Sequence, residues 1–404
     1  MTLRYSTDIV IFGGGIAGLW LLNSLRDAGY QAILLERDTV GGGQTLASQG
    51  IIHGGLKYAL QGSLTGAAEA IADMPGRWRQ CLSGEGDMDL RGTRVLSEHY
   101  YMWSDASMRS KLKTFLGSKS LRGRVETVPE SSYPDFFRQA TVKGTLYELP
   151  DFVVDSESLI DVLATRQQES MFSLPSKGVR FTTDPANNAK MLLLSHLEHE
   201  IEVSAKRFIF AAGEGNKSLI FAAELTTPKT QVRPLNMIYL KMAGLPQLYV
   251  HCIGDSFSLT PRVTVTSHQD ENGETVWYLG GEIAESGVGK TDDEQIDAAK
   301  KLLGKQFPWM DFSAAQWHCF NINRAEANIN NDYRPDDAYF IKENNVIVAW
   351  PTKLTLTPAL ADQILAELNK DGISASKGEP QTALNGILEP ARMGTPEWKL
   401  EASA

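Results

Sequence analysis

Asp8-Ile9-Val10-Ile11-Phe12-Gly13-Gly14-Gly15-Ile16-Ala17-Gly18 is the stretch whose reading decides the fold. Ile9 to Phe12 form a short apolar run ending in glycines, the pattern of a strand buried on both faces of a parallel sheet. Gly13, Gly15 and Gly18 fit G-x-G-x-x-G. In that spacing the first glycine permits a tight turn and the second lets the backbone approach a pyrophosphate. The third lets the next helix pack on the strand. From Ile16 the chain reads as a helix, with Ala17, Gly18, Leu19, Trp20, Leu22 and Leu25 on its length and Gly29 at its C-terminal cap. Its first amides would face phosphates. Ala32 to Leu35 read as a second strand ending at Glu36, about twenty residues past the turn, where an acid binds ribose hydroxyls. A glycine motif alone is weak. Strand, turn, helix, strand and acid in succession point to a dinucleotide-binding α/β fold.

Outward from this stretch, composition sets limits. A chain of 404 residues is long enough for two or three domains. With 42% hydrophobic and 22% charged residues it has an ordinary globular balance. A net charge of -10 argues against sequence-independent nucleic-acid binding, though not against a local basic pocket. Cys81, Cys252 and Cys319 lack metal-ligand or disulfide spacing, so reduced thiols and no metal are expected. No secretory signal and no spanning apolar stretch is visible. The chain reads as cytoplasmic, with peripheral contact at the inner membrane left open.

After Glu36, Arg37 to Gly50 is rich in glycine and small residues, a composition that lets a ligand approach backbone amides. Then comes Ser48-Gln49-Gly50-Ile51-Ile52-His53-Gly54-Gly55-Leu56-Lys57-Tyr58. This run resembles the flavin-contacting segment of FAD-dependent glycerol-3-phosphate dehydrogenases, which carry Ile-His-Gly-Gly-Leu-Arg-Tyr after the same nucleotide motif. It is also similar to the segment of L-2-hydroxyglutarate oxidases. Both belong to the D-amino-acid oxidase-like flavoproteins. Lys57 stands where the glycerol-phosphate enzymes usually have Arg.

Two later stretches add to the resemblance. Arg207 to Gly213 reads as a buried strand ending at Ala211-Ala212-Gly213, similar to the second dinucleotide-contacting motif of these flavoproteins. Lys353-Leu354-Thr355 is similar to their Gly-Gly-Lys-Leu/Trp-Thr-Thr turn. Thr357 as N-cap and Pro358 as first helical residue start a helix to about Leu368. In the superfamily that helix points its N-terminus at the flavin pyrimidine ring, where negative charge gathers on reduction.

Elsewhere, Gln61 to Leu82 reads as a helix, and Leu90 to Tyr147 holds strand pieces and a basic helical stretch around Lys111, Lys113 and Lys119. Asp155 or Ser156 caps a helix through Ala164. Gly178 to Phe181, Met191 to Leu194 and Ile201 to Val203 form a strand cluster. Val232 to Met242, Leu248 to Cys252, Arg262 to Ser267 and Val276 to Gly281 suggest an antiparallel sheet, with a hairpin at Asn272-Gly273. Asp292 to Leu303 reads as an amphipathic helix and Asn345 to Trp350 as a strand. Gly372 to Ala404 reads as an irregular tail, partly disordered.

The resulting expectation is a Rossmann-like FAD-binding domain interleaved with an antiparallel-sheet α+β substrate domain. Residues 1–82, 149–225 and 318–372 go to the first, 83–148 and 226–317 to the second, and 373–404 to the tail. The resemblance implies FAD, held without a covalent bond, and contacts from Gly13, Gly15, Ile16, Ala17, Gly18, Glu36, Arg37, Thr45, Ser48, Gln49, Gly50, Ile52, His53, Ala212, Gly213, Lys353, Leu354 and Thr355. It implies oxidation of a CH–OH or CH–NH bond of a small anion, such as a 2-hydroxy acid, an amino acid or glycerol 3-phosphate, by hydride transfer to flavin N5. His53 is the candidate base, expected to give an acidic limb near an ordinary histidine pKa. Arg324, Arg334 and Lys353 are the candidates to fix the anion. For the two arginines the plain alternative is a surface ion pair with Glu326 or Asp336. His251, His268 and His318 read as structural or surface histidines. Oxygen, a quinone or a partner protein stays open as electron acceptor. Two other readings are an NAD(P)-dependent dehydrogenase and a non-catalytic FAD-binding subunit.

Overall fold

The computed structural model describes residues 2–55, 66–105, 125–175, 178–184, 188–194, 200–253, 260–329, 335–376 and 384–400. Thr2–Phe12 lies in the middle of the first sheet. It pairs in parallel with Ala32–Glu36 on one side and Glu200–Phe210 on the other. Met171–Ser173 continues the sheet beyond Ala32–Glu36, and Val346–Trp350 continues it beyond Glu200–Phe210. Counted along the chain, these parallel strands run 3-2-1-4-5 across the sheet. That order puts the topological switch point between Thr2–Phe12 and Glu200–Phe210, where α/β sheets bind ligands.

Alternate residues of the strands enter two cores. Ile9, Ile11, Leu34, Ile209 and Ile347 pack with Leu19 and Trp20 of helix Ile16–Asp27, Leu159 of helix Ser156–Thr165 and Leu360 of helix Thr357–Lys370. Val10, Phe12, Leu35, Phe208, Phe210 and Val348 pack on the other face with Leu219, Leu384 and Leu388. Burial on both faces is why these strands read as unbroken apolar runs.

The second sheet has the strand order Gln316–Ala327, Thr230–Lys241, Thr275–Gly280, Val263–Gln269, Val250–Ile253, Tyr100–Asp105, Gly144–Leu149, Glu126–Thr127. Its pairs are antiparallel except Val250–Ile253 with Tyr100–Asp105, which is parallel. One face buries Ile238, Leu240, Val265, Trp277 and Leu279 against Phe136, Phe307 and Leu303. The other face meets the glycine-rich segment of the first unit. Tyr278 Oη donates to the Ala47 carbonyl at 2.8 Å, and Gln49 Nε2 donates to the Thr264 and Tyr278 carbonyls at 3.2 and 3.1 Å.

The structure corrects several expectations. Gln316–Ala327 pairs along its whole length with Thr230–Lys241, so the boundary at His318 cuts through a strand of the second sheet. Ile201 to Val203 and Arg207 to Phe210 are one strand, Glu200–Phe210, because its first part pairs with Ala189–Leu194 and its last part with Val346–Trp350. Thr357 is the first residue of its helix rather than the cap. A turn at Leu354–Leu356 precedes it, and Thr357 Oγ1 donates back to the Leu354 carbonyl at 2.8 Å. Residues 384–400 of the tail are packed: Leu384, Leu388 and Trp398 are buried. Backbone bonds tie Arg392 and Gly394 to Val40, and Ala391 to Met171. The stretch around Lys111, Lys113 and Lys119 and the run Leu56-Lys57-Tyr58 lie outside the described residues. Among the described residues no helix is long and apolar enough to cross a membrane.

Candidate active site

The glycines of the opening turn do different work. Gly13 has φ +103°, and a Cβ there would stand 2.5 Å from Ala212 Cα and 2.7 Å from the Ala211 carbonyl oxygen. A Cβ at Gly18 would run into the Gly13 carbonyl. Packing of the protein on itself demands both glycines. Gly15 is different. Its backbone is extended (φ -73°, ψ 180°), and an added Cβ would meet Thr45 Oγ1 alone, at 3.2 Å. A side chain at Gly15 would therefore fill the space in front of the turn and nothing inside the protein.

Around that space the polar groups converge. Helix Ile16–Asp27 starts without a side-chain cap and without an acid in its first turn. Thr45 Oγ1 accepts the Ile16 amide at 3.0 Å. The helix N-terminus thus offers a positive dipole end to an anion. Glu36 Oε2 accepts the Gly14 amide at 2.6 Å and its Oε1 accepts the Asp38 amide at 2.8 Å, which fixes the carboxylate beside the turn. From the strand across the switch point, Ala212 and Gly213 (φ +56°) close the crevice. Gln44 Oε1, which accepts the Ala325 amide at 3.0 Å, would sit 3.5 Å from a Cβ on Gly213. Arg37 turns instead to Asp38, at 2.8 and 2.9 Å, in the solvent.

The segment then runs along the second sheet. Ser48 Oγ lies 3.0 Å from Ser156 Oγ. Gly50 (φ +70°) lies against the Val154 carbonyl, and Ile52 is fully buried in the short strand paired with Phe152–Val154. That anchoring aims His53. Its amide donates to Thr355 Oγ1 at 3.1 Å, and the next amide, of Gly54, donates to Asp151 Oδ1 at 2.8 Å. The turn carrying Lys353 is thereby joined to the turn carrying His53. Thr352, just before it, has φ +64°, a left-handed conformation that strains a β-branched residue. Its hydroxyl, donating to the Asp337 carbonyl at 2.8 Å, helps hold it there. Lys353 Nζ reaches the Asp336 carbonyl at 3.4 Å.

Across from His53 stands a residue that sequence reasoning had set aside. His251, on Val250–Ile253, has Nδ1 2.8 Å from Thr264 Oγ1, and its ring centroid is 4.7 Å from that of the buried Tyr100. Burial pushes His53 down to about 3, with Lys353 and then His251 adding to the effect. Burial alone pushes His251 down to about 4. Asp151 moves the other way: burial raises it to about 7, opposed by the Gly54 amide and Arg79. Lys353 and His251, from two other elements, are therefore each within electrostatic reach of His53. The expected limb at an ordinary histidine pKa is corrected accordingly, since His53 stays neutral far below that range.

Arg324 is not drawn into this group by any bond among the described residues. It lies on the same face of the second sheet as His251, opposite Arg233 in register. One terminal nitrogen reaches Glu285 at 3.2 Å, while Nε is buried with no hydrogen-bond partner among the described residues. Glu326, named in the plain alternative, binds Arg233 in a fork at 2.6 and 2.8 Å and also attracts Arg324 electrostatically. Arg334 lies outside the described residues. His268 is buried against Trp398, with ring centroids 4.5 Å apart, and His318 stacks on Tyr239 at 4.8 Å. No spacing or composition signal marks His251 or Asp151. Only the sheet order, which carries Val250–Ile253 beside Tyr100–Asp105, brings them to His53.

Residues 8–368 match the family described as DAO, FAD dependent oxidoreductase. The chain belongs to this family. A probable FAD-dependent oxidoreductase of Pseudomonas aeruginosa is 44% identical over 394 residues, covering 97% of this chain and 98% of its own length. The crystal structure of an FAD dependent oxidoreductase from Pseudomonas aeruginosa superposes with a TM-score of 0.82 at 39% identity, over 98% of this chain and 99% of that one. Glycine oxidase from Geobacillus kaustophilus shares the fold, with a TM-score of 0.66 at 13% identity, over 96% of this chain and all of that one (100%). The DAO-family chain is thus an FAD-dependent oxidoreductase. Its residues fit the cofactor: a helix N-terminus with no acid in its first turn suits the pyrophosphate, the fixed Glu36 carboxylate suits ribose hydroxyls, and a Cβ at Gly15 would fill the space in front of the turn.

Proposed function

We propose that this FAD-dependent oxidoreductase oxidises a CH–OH or CH–NH bond of a small anionic substrate held between the His53 turn, the Lys353 turn and the His251 face of the second sheet. One observation supports the reading: the Lys353 ammonium and the His251 imidazole both act electrostatically on His53, and desolvation favours the neutral form of both histidines. When bound, the cofactor accepts the hydride; the protein supplies orientation and proton handling. Gly13, Gly15, Ile16, Ala17, Gly18, Glu36, Thr45, Ser48, Gln49, Gly50, Ala212 and Gly213 would hold it, without a covalent bond.

Lys353 attracts a carboxylate or phosphate as a point charge and orients the reacting C–H. A neutral imidazole is a hydrogen-bond acceptor for the substrate hydroxyl or amine. His53 is a weak base in the empty site, because desolvation and Lys353 both disfavour its cation. A substrate anion beside Lys353 cancels the second effect and moves the His53 pKa upward, so the base strengthens when substrate is present. The Thr264 hydroxyl at Nδ1 of His251 fixes that ring, leaving Nε2 for the substrate. Arg324 shares the sheet face and its orphaned Nε suits a second contact to the anion.

The test is anaerobic mixing of the purified yellow protein with 2-hydroxy acids, amino acids and glycerol 3-phosphate. Bleaching of the flavin absorbance by at least one anion, and not by its neutral amide or ester, is expected. Bleaching by none of the three classes would overturn the reading.

A further inference from the structure

Behind the His53 turn lies a carboxyl group that this chemistry does not use. Asp151 sits between strands Gly144–Leu149 and Phe152–Val154 and is only 3% exposed. Its Oδ1 accepts the Gly54 amide at 2.8 Å. Gly54 is closely packed: a Cβ there would stand 3.2 Å from Pro150 Cγ and 3.6 Å from Pro75 Cγ. The charged and titratable groups facing Asp151 come from two other elements. Arg79, from helix Gly66–Ser83, lies over the Phe152 ring with its guanidinium 4.3 Å from the centroid. Tyr100, from Tyr100–Asp105, is fully buried and turns its hydroxyl to His251. The turn therefore hangs on two side chains: Thr355 under the His53 amide and Asp151 under the Gly54 amide.

We propose that Asp151 is a positioning residue for His53: its carboxylate holds the Gly54 amide and so fixes the direction in which the imidazole projects. The function of this positioning rests on the reading of His53 as part of the reaction site. A charged acceptor makes the stronger hydrogen bond to an amide. With Asp151 raised to about 7 and His53 lowered to about 3, it is Asp151 of this pair that changes charge between pH 5 and 9. The turn is then held most firmly above about pH 7 and loosens as Asp151 takes a proton.

The experiment compares the FAD-loaded wild type with Asp151→Asn and Asp151→Ala, each labelled with ¹⁵N-histidine, by NMR of the imidazole nitrogens from pH 5 to 9. His53→Asn assigns the His53 signals. The wild type should show His53 signals that shift with a midpoint near 7 while the ring stays neutral. Asp151→Asn keeps the volume and an oxygen acceptor and should lose that midpoint. Asp151→Ala should displace the His53 signals at every pH and slow flavin reduction by the identified substrate about tenfold to a hundredfold, with a smaller change in KM. Persistence of the midpoint in Asp151→Asn, or wild-type His53 signals in Asp151→Ala, overturns the proposal. Because Asp151→Asn is isosteric, a folding failure of Asp151→Ala does not remove the test. Displaced His53 signals together with wild-type reduction rates in His53→Asn would uphold the positioning and overturn the place of His53 in the reaction.

Discussion

Gly13, Gly15 and Gly18 look equivalent in the motif and are not equivalent in the protein. Substituting Gly13 or Gly18 forces atoms into backbone, whereas Gly15 faces open space beside Thr45. Gly15→Ala should therefore keep the wild-type melting temperature of the cofactor-free protein and lose most bound FAD. Gly13→Ala and Gly18→Ala should lower yield and stability of the chain itself. Equal losses of stability in all three would refute the distinction, and the comparison needs only absorbance and thermal melts. Thr352 makes the opposite case. A β-branched residue at φ +64° stands where the resembling turn has glycine, so Thr352→Gly should stabilise the Lys353 turn by about 1 kcal/mol in the folded state. The greater chain entropy of glycine in the unfolded state offsets part of that gain. Denaturant unfolding reads the net value, and a loss greater than about 1 kcal/mol would show that the Thr352 hydroxyl bond to Asp337 outweighs the strain.

At the scale of elements, the C-terminal segment departs most from its sequence reading. Gly, Ser, Pro and Glu suggested disorder, yet Leu384 and Leu388 enter the core of the first sheet and Trp398 is 3% exposed between His268 and Tyr278. Leu384, Ile387, Leu388 and Ala391 fall at helical spacing, but Gly386 and Pro390 interrupt it and Trp398 stands apart, so no regular element could be read there; their partners come from distant strands. Trp398→Ala should cost about 3–5 kcal/mol, since it empties a packed aromatic site. A change below about 1 kcal/mol in urea unfolding would mean that the segment is not held there. The nucleotide turn was legible for the converse reason. Its strand, glycines, helix and Glu36 lie within one short stretch, and the spacing itself is the physical requirement. His53 and Lys353 were legible only through the segments around them. His251 and Asp151 were not, because a strand residue's neighbours are decided by sheet order.

For the whole molecule, half-buried His53 and His251 and buried His268 shape stability against pH. His53, His251 and His268 are pushed down to about 3, 4 and 4, from an unfolded value near 6.5. A depressed folded-state pKa contributes stability that is present above the unfolded value and lost as pH falls towards the folded one. Melting temperature should thus drop steadily between about pH 6.5 and 4. Asp151 has the opposite sign. Its raised pKa contributes stability below about pH 4 that is lost as pH rises through 7. Asp151→Asn should accordingly raise the melting temperature at pH 8 more than at pH 4, and an equal effect at both would contradict the burial of a charged carboxylate.

The glycine-rich segment of the first unit is bonded to the second sheet through Gln49 and Tyr278, and Lys353 and His251 both act on His53. The account rests on that convergence serving an anion. Its most direct test is stopped-flow reduction of the wild type and Lys353→Met by the same anionic substrate and by its neutral analogue. The account predicts that Lys353→Met keeps its FAD, reduces about ten- to a hundredfold more slowly with the anion, and treats the neutral analogue as the wild type does. An unchanged preference for the anion in Lys353→Met would contradict it.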